Sequence, residues 1–210
     1  MNTDTPVLKA TFQELLRKYT ENEQLIEAFW AEITKNYASK NRYYHTLHHL
    51  SNLLVELKMI KNEIKNWDAI LFTLFYHDLV YNVLKTDNEE KSAAIAEKRL
   101  EQLFVPKEII TLCKAHILAT KTHTLSSNSD TNFFTDADLS ILGQPSEVYL
   151  LYSKNVRKEY GLFPDFVYNS GRKKVIHHFL EMEKLFKTDF FYNKFEQKAK
   201  ENLKNELTTL

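Results

Sequence analysis

The segment Trp67-Asp-Ala-Ile-Leu-Phe-Thr-Leu-Phe-Tyr-His-Asp78 decides how the chain is read. Trp67, Ile70, Leu71, Leu74 and Phe75 recur at helical spacing, and residues 69–76 form the longest apolar run. That run is far short of the roughly 20 residues that span a bilayer. It therefore predicts a buried helix in a soluble protein. The run ends in His77 and Asp78. Leu74 lies three residues before one and four before the other, so both polar side chains flank an apolar stripe. An aspartate there is costly to bury unless it is paired or bound to a metal. Adjacent helical side chains diverge by about 100°, and both reach one ion that sits between their directions.

The helical period continues on either side. Phe12, Leu15, Leu16 and Tyr19 make one stripe, and Leu25, Ala28, Phe29, Ile33 and Tyr37 another. Leu50, Leu53, Leu54, Leu57 and Ile60 make a third. Ala93, Ala96, Leu100 and Leu103 follow a start at Asp87-Asn88, and Pro106 marks the next boundary. Residues 105–121 are again helical. Residues 125–132, rich in Ser, Asn and Thr, predict an exposed loop. A short helix over 136–142 ends at Gly143, and Pro145 opens another that reaches Tyr160. Residues 161–171 read as irregular, before two last helices at about 172–187 and 189–207. No strand alternation or internal repeat is present. The expectation is an all-α chain forming one domain, 1–210.

Bulk properties exclude several classes. Lys plus Arg and Asp plus Glu number 28 each, so total charge argues for neither nucleic acid nor a membrane surface. The N-terminal residues 1–9 are polar and carry no signal peptide. The single cysteine, Cys113, fits a reducing compartment, hence a cytoplasmic location, and reads first as a small buried hydrophobe. Glycine occurs only at 143, 161 and 171. Glycine-rich phosphate loops are thereby excluded; any phosphate chemistry falls to side chains or to a metal. The aromatic residues of the last helices, such as Phe190, Phe191, Tyr192 and Phe195, read first as core and second as a homodimer face.

The chemistry-bearing residues fall in four places. On a continuous helix His45 and His49 share a face at i, i+4. His77-Asp78 is the second place. Asp138, in Asp136-Ala137-Asp138-Leu139, offers a further carboxylate, while Asp136 reads as an N-cap. His116, Thr120 and His123 are spaced i, i+4, i+7, a stripe suited to phosphate or a second metal. Histidines with carboxylates favour a divalent ion such as Mn²⁺, Fe²⁺, Co²⁺, Zn²⁺, Mg²⁺ or Ni²⁺.

Taken in order, these motifs resemble those of the HD-domain superfamily of metal-dependent phosphohydrolases. The likeness is closest to a small bacterial group of unknown substrate. It rests on Arg42-x-Tyr44-His45-x-x-x-His49, Phe75-Tyr76-His77-Asp78-x-x-Tyr81, Asn88-Glu89-x-x-Ser92-Ala93, Ala119-Thr120-x-x-His123, Asp136-Ala137-Asp138-Leu139-x-Ile141-Leu142-Gly143 and Val156-Arg157-x-Glu159-Tyr160. The resemblance implies an all-α HD-type domain hydrolysing a nucleotide or another small phosphorylated metabolite. It implies His49, His77, Asp78 and Asp138 as metal ligands, His45 as general acid and Glu89 as a residue positioning water or substrate. His116 and His123 fall where some relatives hold a second metal. Arg42, Lys121, Arg157 and Arg172 are candidates for phosphate. A di-iron oxygenase and a non-catalytic metal- or nucleotide-binding protein are the alternatives.

Overall fold

The computed structural model describes residues 4–210; Met1, Asn2 and Thr3 of the polar N-terminal segment lie outside them. Every regular element among the described residues is helical. The fold class is therefore all-α, as the periodicity predicts. No helix among these residues is long and apolar enough to cross a membrane. The chain divides into two compact units, Met1–Thr135 and Asp136–Leu210.

The first unit holds α1 (Asp4–Leu16), α2 (Glu23–Tyr37), α3 (Leu47–Met59), α4 (Trp67–Tyr76), α5 (Asn88–Gln102) and α6 (Lys107–Ala119). Helix α4 is the apolar segment quoted above, and its residues 69–76 are all buried. A helix apolar on every side belongs at the centre of a core. Accordingly α4 packs against α1, α3, α5 and α6. Phe75 meets Phe12 edge-on at 4.8 Å, and burying each such side chain stabilises the fold by about 1.5–3 kcal/mol. Asn66 caps the helix by accepting from the Ala69 amide at 2.9 Å. Cys113 on α6 is fully buried, and desolvation pushes its thiol up to about 12.

Helix α7 (Ser129–Leu139) starts seven residues earlier than the sequence suggests, and the division between the units falls inside it. Of residues 125–132, expected as an exposed loop, 125–128 do lie outside regular structure, while 129–132 form the entry of the helix. Asn128 Oδ1 accepts from the Asp130 and Thr131 amides at 2.9 and 3.2 Å. Asx side chains serve turns and N-caps alike, so composition does not separate the two. Asp130 is buried, and its carboxylate accepts from the Lys65 and Asn66 amides just ahead of α4. Asp136, expected as an N-cap, lies well inside α7.

The second unit continues with a 3-10 turn (Ser140–Gly143), α8 (Ser146–Glu159), α9 (Asp165–Glu181) and α10 (Asp189–Thr209). Helix α9 begins at Asp165, within the segment expected to be irregular. Gly171 lies inside this helix, where its cost of about 1 kcal/mol relative to alanine does not break the run. Residues 182–187 leave the helix, and buried Glu196 accepts from the Leu185 and Phe186 amides. Inside this unit Arg172 forms a two-point ion pair with Glu206 at 2.9 Å, both side chains nearly inaccessible.

Gly143 sits against α10: a Cβ there would lie 2.5 Å from the Phe195 Cβ and 2.7 Å from its carbonyl oxygen. Backbone contact of this kind has no flexible neighbour to yield. Gly143→Ala is expected to destabilise the protein by about 1–3 kcal/mol, read as a lowered urea midpoint. An unchanged midpoint would mean that the contact relaxes freely.

Candidate metal centre

Helix α4 delivers His77 at its C-terminal end. The residue keeps helical angles (φ −58°, ψ −41°), and its amide bonds to the Thr73 carbonyl at 2.8 Å. Its ring is 1% exposed. His77 Nδ1 lies 3.1 Å from the Leu74 carbonyl oxygen. A carbonyl only accepts, so Nδ1 carries the proton and Nε2 presents its lone pair. Metal-binding histidines are commonly fixed by such a bond on the second nitrogen.

That lone pair meets two further polar atoms. His49, on the first turn of α3, places its Nε2 3.2 Å from His77 Nε2. Asp78 Oδ2 lies 3.2 Å from His77 Nε2 and 3.9 Å from His49 Nε2. Both imidazoles are buried. Two ring nitrogens and a carboxylate oxygen this close repel one another unless a proton or a cation stands among them. Ligands around an ion with bonds of 2.0–2.2 Å are separated by about 3.0–3.4 Å, which matches the two shorter distances.

Asp138 lies on the last turn of α7, one turn after Phe134 and on the same helix face. The Phe134 ring meets His77 edge-on at 5.5 Å. His49, His77 and Asp138 each offer a ligand atom, all within 4.8 Å of one another, and this group could hold a metal ion. Phe134 went unread in the sequence, although its i−4 spacing from Asp138 was visible.

His45 is not on α3. The helix begins at Leu47 after an extended Thr46 (φ −116°, ψ 179°), so the i, i+4 face does not exist. The turn before the helix still brings the His45 ring within 5.9 Å of the His49 ring. Tyr81 packs on His45 at 4.2 Å, and Tyr44 lies 5.0 Å from His49.

Arg42 is used differently from the expectation. Its guanidinium donates to the carbonyl oxygens of His45 (3.1 Å), Asp78 (2.7 Å) and Leu79 (2.9 Å). It lies over the rings of Tyr37 and Tyr81 and is only 8% exposed. This is a clamp between two backbone segments and not an open phosphate site. The other basic candidates are engaged too. Lys121 binds Glu90 and the Thr86 carbonyl. Arg157 binds Asp165 and the carbonyls of Tyr160 and Phe163. Arg172 is held by Glu206.

The expected stripe of His116, Thr120 and His123 breaks. Helix α6 ends at Ala119, and His123 follows in a left-handed turn (φ 52°). His116 is fully buried, with Nδ1 2.8 Å from Thr131 Oγ1. Among the described residues, neither histidine joins the group at His49. Glu89 lies half-buried on the first turn of α5.

No protein-family model, curated protein or solved structure matches this chain. The centre therefore stands on its own geometry.

Two measurements follow. Arg42→Lys keeps the charge but loses the planar fork; leaving buried carbonyls unpaired is expected to cost about 1–3 kcal/mol. A variant with wild-type thermal stability would return Arg42 to the surface candidates. Burial pushes His116 down to about 4, against the pull of the Asp130 charge. The unfolded chain takes up this proton near the ordinary imidazole value of 6.5, so stability present above that pH is lost as pH falls towards 4. Urea midpoints at pH 7, 5.5 and 4.5 should fall less steeply in His116→Asn than in the wild type. Parallel slopes would show that His116 does not carry the effect.

Proposed function

We propose that the chain is a metal-dependent phosphohydrolase acting on a nucleotide or another small phosphorylated metabolite. The observation that carries this reading is the convergence of His49 Nε2, His77 Nε2 and Asp78 Oδ2 within 3.9 Å, with Asp138 completing the donor set. These four residues would hold one divalent ion. Such an ion lowers the pKa of a bound water and polarises a phosphoryl oxygen.

The chain's own residues have distinct tasks in this reading. The Leu74 carbonyl keeps His77 in the tautomer that offers Nε2. Asp78 and Asp138 supply the negative charge that makes the pocket selective for a cation. His45, steadied by Tyr81, would hand a proton to the leaving oxygen, a role to which imidazole near neutral pH is suited. Glu89 would orient water or substrate. Arg42, Lys121, Arg157 and Arg172 are already paired within the protein, so substrate phosphate charge would be met chiefly at the ion. The motif resemblance supports hydrolysis, and the absence of any glycine loop directs phosphate chemistry to this centre.

The test is purified protein with Mn²⁺ against a panel of nucleotides and phosphomonoesters, scored for phosphate or pyrophosphate release. His77→Ala and Asp138→Ala should lose both bound metal and turnover. His45→Gln should keep the metal and lose about 10²–10⁴-fold in kcat. Turnover retained in His77→Ala would sink the assignment.

A further inference from the structure

Asp136 is a buried carboxylate with no role in the reading above. Its oxygens accept from the Lys187 amide (2.9 and 3.0 Å), the Thr188 amide (2.7 Å) and the Thr188 hydroxyl (2.8 Å). The Lys187 ammonium adds an ion pair at 2.9 Å, with that side chain 5% exposed and Asp136 wholly inaccessible. Thr188 is the N-cap residue of α10, and its own side chain makes no capping bond. Asp136 therefore holds the start of α10 from a neighbouring element, at the end where helix amides are unpaired and the dipole favours negative charge.

Asp136 and Asp138 are two residues apart on α7, so they point to nearly opposite sides of that helix. A carboxylate fixed by this many donors sets both the rotation and the axial position of the last turn. Asp138 belongs to that turn, which passes into the 3-10 segment at Ser140. A helix terminus without such an anchor frays.

We infer that Asp136 is a positioning residue for Asp138: by gripping the Lys187-Thr188 turn it holds the last turn of α7 in the register that presents Asp138 as a ligand. The inference rests on the metal reading above. It also couples two places in the second unit, since an ion drawn to Asp138 would tighten the hold of Asp136 on the α10 start, and linkage works in both directions.

The experiment is Mn²⁺ titration by calorimetry on the full chain, with thermal stability measured alongside. Asp136→Asn keeps the volume but turns an amide group towards backbone N–H donors. It should weaken Mn²⁺ binding about 10-fold or more, the range typical of groups that orient a metal ligand. Glu196→Gln is the control. It removes a comparable buried carboxylate of α10, one that serves the adjoining Leu185 and Phe186 amides and not those of Lys187 and Thr188, and should lower Tm while leaving Mn²⁺ affinity unchanged. Thr188→Val, a milder change should Asp136→Asn fail to fold, should weaken Mn²⁺ in the same direction by less. In the wild type, Mn²⁺ should slow hydrogen exchange at the Lys187 and Thr188 amides. Equal loss of affinity in Glu196→Gln, or unaltered affinity in both Asp136→Asn and Thr188→Val, overturns the inference alone. A wild type that binds no Mn²⁺ overturns the metal reading and this inference with it.

Discussion

The guanidinium of Arg42 holds together the two chain segments that carry the centre of the first unit. One segment is the turn before α3, which presents His45 and leads to His49. The other is the end of α4, which presents His77 and Asp78. Neither segment is regular structure at the point of contact, so no helix ladder fixes their separation. Three carbonyl oxygens, those of His45, Asp78 and Leu79, accept from one planar group. Bonds from a charged donor are roughly twice as strong as neutral ones, and the guanidinium also lies 4.8 Å from the Tyr37 ring and 5.3 Å from the Tyr81 ring. The packing of α3 against α4 sets the approach of His49 and His77, and the clamp holds the segments beside them where their nitrogens stand 3.2 Å apart.

Buried carboxylates repeat the device elsewhere. Asp130 takes the amides ahead of α4, Asp136 those ahead of α10, and Glu196 those of Leu185 and Phe186. In each case a side chain from one element satisfies backbone donors of a turn that no ladder serves. Burying a carboxylate is expensive unless several donors face it, so each anchor tolerates little displacement. The long helices fix the gross architecture; these anchors fix where the helices begin. Side chains at helix ends, as those of the candidate ligands His49, His77 and Asp138 all are, depend on the second of these more than on the first.

The helical stripes were legible because apolar spacing is a local property. Helix α4 is the clearest case: one run of eight apolar or small residues told both its helicity and its central burial. The polar ends were not legible. Asn128 and its neighbours read as loop because Asx residues cap helices and make turns with the same hydrogen bonds. Gly171 suggested irregular chain because glycine is a poor helix former, yet its cost of about 1 kcal/mol is small enough for tertiary packing to override. The His45–His49 proximity was read correctly for a wrong reason, since a turn and not a shared helix face produces it. Arg42 shows the deeper limit. A basic residue beside a histidine cluster is equally consistent with phosphate binding and with a backbone clamp, and only the three carbonyls decide between them.

Electrostatics then constrains what this centre can do. His49 and His77 are both buried, and Asp78 Oδ2 lies 3.2 Å from His77 Nε2. With the Leu74 carbonyl holding His77 Nδ1 as donor, a proton on Nε2 would make that ring a buried cation facing another nitrogen. A neutral His49 that carries its proton on Nε2 would donate to the His77 Nε2 lone pair at 3.2 Å. A divalent cation would gather the same atoms differently, because it accepts several lone pairs at once where a proton serves two. The nearby cationic side chain, Arg42, is spent on backbone oxygens and cannot substitute. The group at His49, His77 and Asp138 could hold a metal ion, and the clamp keeps the Arg42 charge on backbone oxygens beside it.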